Sequence, residues 1–232
     1  MLRERRAVIF DLDDTLYPYR RFVLSGFVAV ADHLARTTRI DRRRAFRVLA
    51  RASRGAGRGT ELQICLAAFG LPTTMLPMLI NVLLQHQPRL SLPRPILRVL
   101  TRLRAEGWRI GVLTNGSRGV QARKIAALGL VRHVDSVVYA TEHGQRQGKP
   151  DPEPFVEILS RLGVTPSNAV FVGDDEVCDI GGARRLGLAT VRCRVWSAGD
   201  FATTADAVVT RLSHLPHLAQ RLLEETANRH AA

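Results

Sequence analysis

Residues 8–16 of the chain are Val8-Ile9-Phe10-Asp11-Leu12-Asp13-Asp14-Thr15-Leu16. The apolar run that begins this stretch is typical of a short strand buried on both faces of a sheet. Three carboxylates follow within four positions, and their mutual repulsion costs stability unless a positive charge offsets it. A divalent cation and a phosphate substrate would give these acids a use, so the stretch predicts phosphate chemistry at the end of a buried strand.

Apolar runs and helical patterns alternate along most of the remaining sequence. The predicted strands are 7–10, 109–113, 136–139, 169–172 and 189–192, with a weaker sixth at 207–209. Helical spacing of apolar residues predicts helices at 95–105, 119–128, 152–162, 177–186 and 211–225. Because this alternation favours parallel pairing and right-handed crossovers, the expected fold class is α/β, with a parallel sheet flanked by helices.

One long segment interrupts the alternation. Its apolar spacing predicts four helices, at 22–36, 42–53, 61–69 and 74–85. A flexible, glycine-rich break is expected at 54–59, and the prolines between 87 and 95 suit a hinge. We therefore expect a core formed by 1–17 and 91–232 and an all-helical cap formed by 18–90. Because the cap directly follows the first strand, it should lie above that strand's carboxyl end, where ligands bind in open α/β sheets.

The charge of the chain bears on its partners. The 232 residues carry a formal charge of +13, and almost all of the cations are arginine. Such a field attracts anions, including phosphorylated metabolites, although a solvated arginine-rich surface would give the same charge. Aromatic side chains that could stack on bases are few near the arginine cluster at 42–58, so nucleic acid is disfavoured as a partner.

The remaining composition bears on the environment of the protein. The three cysteines are widely spaced and lack metal-ligand spacing, so free thiols in a reducing cytosol are expected. The sequence shows no secretory signal and no apolar stretch of the roughly 18 residues that a membrane span requires. We expect a cytoplasmic protein, monomeric or homodimeric, without a membrane partner.

Four polar motifs follow predicted strands or precede a predicted helix. A Thr-Asn-Gly turn or a Gly-Lys-Pro loop is common in proteins that have no related chemistry, so each motif alone is a weak signal. Their order and their positions at strand ends make the combination specific. The motifs are Asp11-x-Asp13-x-Thr15, Thr114-Asn115-Gly116, Gly148-Lys149-Pro150-Asp151-Pro152 and Gly173-Asp174-Asp175 with Asp179.

In these four motifs the chain resembles the haloacid dehalogenase-like superfamily of phosphoryl-transfer enzymes. The resemblance covers nearly the whole chain, and the helical segment is similar to the cap of one subgroup. It implies a Rossmann-like core, dependence on Mg²⁺ and a small phosphorylated metabolite as the partner. Within the subgroup the closest general likeness is to pyrimidine nucleotidases and phosphoglycolate phosphatase-like enzymes, and the Asp-Leu-Asp-Asp-Thr-Leu-Tyr form of the first motif leans toward the nucleotidase branch.

The resemblance also implies roles for individual residues. Asp11 would be the nucleophile that forms an aspartyl-phosphate, and Asp13 would be the general acid and base. The Thr114 hydroxyl and the Asn115 backbone N–H would bind phosphoryl oxygens. Lys149 would neutralise charge on Asp11 and on the phosphate.

The expected metal ligands are Asp11, the backbone carbonyl of Asp13, and Asp174. A second acid of the fourth motif is either Asp175 or Asp179, and the commonest spacing in the family favours Asp179. Three nearby residues keep open roles. Asp14 is either a neighbour of the site or a turn former. Thr15 would bond near the nucleophile and help to shape the turn, and Tyr17 contacts either substrate or the hinge.

The residue at position 13 bears on the type of reaction. Dehalogenases of this superfamily carry a non-acidic residue there, because a halide leaves without a proton. Asp13 therefore favours hydrolysis of a phosphate ester. A phosphomutase or phosphotransferase would share Asp11 and Asp13, and a basic regulatory protein that binds nucleic acid is the alternative from another class.

Overall fold

The computed structural model of the chain describes residues 5–54, 59–144, 148–197 and 202–231. The predicted break at 54–59 lies largely outside these residues. The chain forms two compact units, one of Met1–Tyr19 with Ser91–Ala232 and the other of Arg20–Leu90. We call them the core unit and the helical unit.

A six-stranded parallel sheet forms the centre of the core unit. Its strands are β1 (Ala7–Phe10), β2 (Arg109–Thr114), β3 (Ser136–Tyr139), β4 (Ala169–Gly173), β5 (Ala189–Cys193) and β6 (Ala207–Val209). They pair in the order β3-β2-β1-β4-β5-β6. The predicted α/β fold class, with its parallel sheet flanked by helices, is therefore confirmed.

Strand β1 is paired on both edges and fully buried. It pairs on one edge with β2 and on the other with β4, so that Phe10 lies beside both Val112 and Val172. Its four residues are at most 1% exposed, as the uniformly apolar sequence predicts. The residue that follows β1 therefore leaves the sheet between the ends of two neighbouring strands.

Helices lie between the strands of the core unit and after the last strand. They are α5 (Arg94–Ala105), α6 (Arg118–Ala127), α7 (Pro152–Leu162), α8 (Gly182–Arg185) and α9 (Leu215–Ala231). Helix α7 has the bounds that the sequence predicts, because Pro152 occupies the first turn and Gly163 ends the helix in the left-handed conformation, with φ of 65°.

The single helix predicted at 177–186 is wrong in detail. The structure has a π-helix at Glu176–Gly181, followed by the short α8. The Ile180 N–H bonds to the Asp175 carbonyl at 3.1 Å, and this five-residue spacing defines the wide π turn. Two adjacent glycines, Gly181 and Gly182, form the junction, and their low helix propensity favours a change of helical geometry at this point.

The described residues of the helical unit form four α-helices, as the sequence predicts. They are α1 (Arg20–Thr37), α2 (Arg42–Ala52), α3 (Glu61–Ala68) and α4 (Leu76–Gln85). Asp41 caps α2, since its carboxylate accepts a hydrogen bond from the Arg44 N–H at 2.8 Å. The unit has its own apolar core, built around buried side chains of all four helices that include Phe27, Leu49, Leu66 and Leu79.

The length and hydropathy of the helices bear on whether they could span a membrane. Among the residues that the structure describes, no helix is both long enough and apolar enough to cross a membrane.

Tight packing between β2 and α7 gives a first prediction. A Cβ at Gly111 would lie 2.9 Å from Leu162 Cδ1 and 3.1 Å from Ile158 Cγ1. We expect Gly111→Val to lower the free energy of unfolding by about 1–3 kcal/mol, the usual cost of overpacking. Urea denaturation measures this change.

The matched control is Gly119→Ala in helix α6. A Cβ there would meet only the end of the Arg123 side chain, at 3.6 Å. Because alanine favours a helix more than glycine does, we expect this variant to be unchanged or more stable by up to about 1 kcal/mol. Equal destabilisation by the two substitutions would contradict the packing described for Gly111.

Candidate active site

Three of the four motifs meet at the carboxyl edge of the sheet. Asp11 follows β1, Thr114 and Asn115 stand at the end of β2, and Asp174 follows β4. The Asp11 N–H continues the pairing of β1 with a 2.9 Å bond to the Val172 carbonyl. Because β1 lies between β2 and β4, the strand order itself brings these polar residues together.

Lys149 supplies the positive charge at the centre of this cluster. Its ammonium group lies 2.6 Å from an Asp11 oxygen, 2.6 Å from an Asp179 oxygen and 3.1 Å from the Leu113 carbonyl. The lysine side chain is 2% exposed. Burial alone would lower the pKa of Lys149, but the two carboxylates outweigh it and hold that pKa above its ordinary value.

The acids around Lys149 form a candidate metal site. Oxygen atoms of Asp11, Asp174 and Asp179 lie within 4.8 Å of one another. Burial raises the pKa of Asp11 well above its usual value, although Lys149 opposes this shift. Burial, followed by the charges of Asp179 and Asp14, raises the pKa of Asp174 to about 7. Three crowded carboxylates beside one ammonium leave negative charge uncompensated, and their hard oxygen donors fit Mg²⁺.

The two alternative acids of the fourth motif occupy different environments. The Asp175 carboxylate accepts hydrogen bonds from the Val177 and Cys178 N–H groups, so it caps the π-helix. Asp179 instead joins the buried cluster. Gly173 makes this approach possible, because a Cβ at that position would collide with the Asp179 carboxylate.

Asn115 joins the second motif to the third. Its side-chain amide donates to the Lys149 carbonyl at 3.0 Å, and its side-chain oxygen accepts from the Lys149 N–H at 2.8 Å. Thr114 is nearly inaccessible, and its hydroxyl oxygen lies 2.6 Å from Nε2 of Gln121. With a donor on that side, the Thr114 hydroxyl proton is directed to an acceptor, and in the structure it makes a long bond of 3.4 Å to the Asn115 carbonyl.

Asp13 lies among donors that the sequence does not reveal. Its Oδ1 accepts a hydrogen bond from the Tyr17 hydroxyl. Its Oδ2 lies 2.7 Å from the Lys124 ammonium and 3.2 Å from the Gln121 amide nitrogen. Gln121 and Lys124 stand three residues apart on α6, so helical spacing could have placed both on one face of that helix, but it could not have placed them beside Asp13.

The residues with open roles take structural positions. Asp14 adopts the left-handed conformation, with φ of 52°, and its carboxylate accepts from the Tyr19 N–H at 2.9 Å. It therefore forms the turn after Asp13, as aspartate often does. Thr15 is buried, its hydroxyl lies 3.5 Å from Asp174, and its carbonyl accepts from the Trp196 indole at 3.2 Å.

Comparison with known proteins identifies the class of this fold and site. The profile of the haloacid dehalogenase-like hydrolases matches residues 5–187. The glyceraldehyde 3-phosphate phosphatase of Methanopyrus kandleri is 30% identical over 197 residues, which cover 82% of this chain and 84% of that protein. The chain therefore belongs to the haloacid dehalogenase-like hydrolase family, and the predicted membership is confirmed.

Two further similarities lie within the same family. The ribulose-1,5-bisphosphate 5-phosphatase of Halopiger xanaduensis is 31% identical over 219 residues, covering 88% of this chain and 91% of that protein. The crystal structure of a 2-haloacid dehalogenase from Pseudomonas syringae pv. Tomato DC3000 superposes with a TM-score of 0.63 at 27% identity, covering 94% of this chain and 99% of that one. The proteins to which this chain is similar thus include both phosphatases and a dehalogenase.

The acidic cluster predicts a stabilising effect of Mg²⁺. At about 100 times its Kd, an ion that binds only the folded state raises the free energy of unfolding by about 2.7 kcal/mol. We expect Asp174→Asn to lose most of this gain, while the metal-free variant becomes more stable than the wild type because one of three like charges is removed. Thermal unfolding with Mg²⁺ and with a chelator measures both effects.

Asp175→Asn is the matched control, since it removes an adjacent carboxylate that caps a helix, and asparagine caps equally well. It should keep the full Mg²⁺ shift. An equal loss of the shift in both variants would contradict a metal site centred on Asp174.

The raised pKa of Asp174 predicts a pH dependence of metal-free stability. The group has a pKa of about 7 in the folded protein against an ordinary value of 3.8. Between these pH values the folded state retains a proton that the unfolded chain has lost, so stability should fall as the pH rises from about 4 to about 7. Melting temperatures in chelator across this range should fall less steeply for Asp174→Asn, and an unchanged slope would contradict the assignment.

Proposed function

We propose that the protein is a Mg²⁺-dependent phosphatase that hydrolyses a small sugar phosphate through an aspartyl-phosphate intermediate. The observation that carries this proposal is the ion pair of buried Asp11 with Lys149 inside the three-carboxylate cluster. A carboxylate kept beside a fixed cation is suited to attack a phosphate, whose own negative charge repels nucleophiles.

In the first half of the proposed reaction, an Asp11 oxygen attacks the phosphorus atom of the ester. The bond between phosphorus and the alcohol oxygen breaks, and Asp13 gives its proton to that oxygen. Lys149, the Thr114 hydroxyl and the Asn115 backbone N–H bind the phosphoryl oxygens. The role of the Thr114 hydroxyl is supported by Gln121, which occupies its acceptor side.

In the second half, water attacks the phosphorus atom of the aspartyl-phosphate. Asp13, now a carboxylate, takes a proton from this water, and the bond between phosphorus and Asp11 breaks. Inorganic phosphate leaves, and Asp11 returns as a free carboxylate. One acid thus serves both halves, first as the donor and then as the acceptor of a proton.

The side chains of Asp11, Asp174 and Asp179, with the backbone carbonyl of Asp13, are the proposed ligands of Mg²⁺. When bound, the ion supplies positive charge that offsets the repulsion between the Asp11 carboxylate and the phosphate. Asp175 is the less favoured ligand, because its carboxylate already accepts two backbone hydrogen bonds.

The chemistry of residue 13 favours phosphate esters over haloacids. An alkoxide is a poor leaving group that needs a proton, whereas a halide departs without one. This chain has a carboxylate at position 13 with hydrogen-bonding partners on both oxygens. Such an acid would be unused in dehalogenation.

The names of the relatives support a sugar phosphate as the substrate. The Methanopyrus and Halopiger proteins are named for phosphatases of glyceraldehyde 3-phosphate and ribulose-1,5-bisphosphate. Both compounds are phosphate monoesters of small sugars, so we propose this substrate class ahead of the nucleotides that the first motif favours. We also propose a cytoplasmic location, which the free thiols of Cys65, Cys178 and Cys193 support.

The mechanism predicts distinct effects for the two first-motif acids. We expect Asp11→Asn to reduce phosphate release to background, because the amide is not a nucleophile. Asp13→Asn should lower kcat/KM for glyceraldehyde 3-phosphate by about 100-fold or more, the usual worth of general acid–base catalysis. Phosphate release is measured across sugar phosphates and nucleotides with Mg²⁺, and chelator should abolish it.

Three outcomes would overturn parts of this proposal. Activity that survives Asp11→Asn would exclude the aspartyl-phosphate. An isomeric phosphate product with little free phosphate would identify a phosphomutase. Chloride release from 2-chloropropionate, without phosphate release from any ester, would identify a dehalogenase.

A further inference from the structure

The carboxylate of Asp13 is held from both sides. Tyr17 donates to Oδ1, and Lys124 and Gln121 lie 2.7 and 3.2 Å from Oδ2. Gln121 has two N–H groups and two nearer acceptors, the Thr114 hydroxyl and the Asn115 carbonyl, both at 2.6 Å, so Tyr17 and Lys124 are the principal donors to Asp13. Among the contacts of the described residues, each oxygen of Asp13 thus has one principal donor and keeps a lone-pair position for the proton that the reaction moves.

Lys124 is an unusual residue for the buried face of a helix. Its side chain is only 4% exposed, against 26% for Asp13. A buried ammonium is costly unless an anion compensates for it, and Asp13 supplies that anion. The Lys124 ammonium also lies 5.0 Å from the centre of the Tyr19 ring, a second favourable contact.

Helix α6 therefore joins two parts of the site. Gln121 contacts Asp13, and the same nitrogen lies 2.6 Å from both the Thr114 hydroxyl and the Asn115 carbonyl. Lys124, one turn further on, reaches the same oxygen of Asp13 as Gln121. The turn after β1 is thereby tied to the motif after β2 through one helix.

We propose that Lys124 and Tyr17 are positioning residues that hold the Asp13 carboxylate in the orientation from which it exchanges protons with the leaving alcohol. The inference rests on the proposed function, because it assigns the two residues to its acid–base step. A charge-assisted bond on one oxygen and a hydroxyl on the other fix both the position and the rotation of the carboxylate. Proton transfer requires such fixed geometry, and a misplacement of about 1 Å can cost about 100-fold in rate.

Two phosphate esters of nearly equal size separate this role from a general structural one. Phenyl phosphate releases a basic phenolate that gains from protonation, whereas p-nitrophenyl phosphate releases a stabilised anion that does not. The comparison uses kcat/KM, which covers the steps up to loss of the alcohol and excludes hydrolysis of the aspartyl-phosphate.

We expect Lys124→Met to lower kcat/KM for phenyl phosphate by about 10- to 100-fold and that for p-nitrophenyl phosphate by no more than about 3-fold. Methionine is unbranched like lysine, is one heavy atom shorter and carries no charge. Tyr17→Phe should show the same selectivity, and it removes only one hydroxyl. Lys124→Arg should restore part of the loss, since it returns a cation to this position.

Arg123→Met is the matched control, because it removes a cation from the adjacent position of the same helix. It should change both rate constants by less than about 2-fold. In a double-mutant cycle with Asp13→Asn, adding Lys124→Met should cause little further loss for phenyl phosphate, because the residue through which Lys124 acts is already gone.

Several results would overturn the inference. Equal losses for the two esters in both Lys124→Met and Tyr17→Phe would indicate a general structural role. If the loss in the double variant equals the product of the losses caused by Lys124→Met and by Asp13→Asn, Lys124 acts through a residue other than Asp13. If the wild type releases phosphate from neither of these esters nor any sugar phosphate, or if Asp11→Asn keeps full activity, the proposed function fails first and the positioning role fails with it.

Discussion

The site depends on one buried ammonium group placed between two carboxylates. Lys149 contacts both Asp11 and Asp179, and Asn115 fixes the backbone from which Lys149 extends. Without this cation the acids could not remain crowded at the end of a buried strand, because each would raise the pKa of the others. One positive charge does not balance three negative ones, and that residual imbalance is the electrostatic basis for a divalent ion in the proposed mechanism.

The sheet order is the second constraint, and it converts distant sequence positions into neighbours. Strand β1 leads to Asp11 and stands between the strands that lead to Asn115 and Asp174. The pairing of the strands therefore sets the distances between the motifs, independently of their side chains. Helix α6 adds a further connection from β2 to the turn after β1, through Gln121 and Lys124.

The sequence predicts the sheet and the four motifs well because both depend on local patterns. Apolar runs define the strands. Because the strands are parallel, the residues that follow them all lie at the same carboxyl edge of the sheet. Contacts of Lys124 with Asp13 could not be predicted in this way, since they depend on the rotation of α6 relative to a turn more than one hundred residues earlier. The π-helix at Glu176–Gly181 is not predicted, because it is defined by the spacing of its hydrogen bonds, which the spacing of apolar residues along the sequence does not reveal.

The pairing of β1 on both edges also bears on how catalytic activity would be lost when the protein unfolds. A strand paired on both edges opens only when the sheet around it opens, so its amide protons belong with the most slowly exchanging of the chain. Asp11 is attached directly to that strand, through the N–H that bonds to Val172. Displacement of Asp11, the proposed nucleophile, should therefore coincide with cooperative unfolding of the core unit, so residual activity on heating would report the folded fraction of that unit.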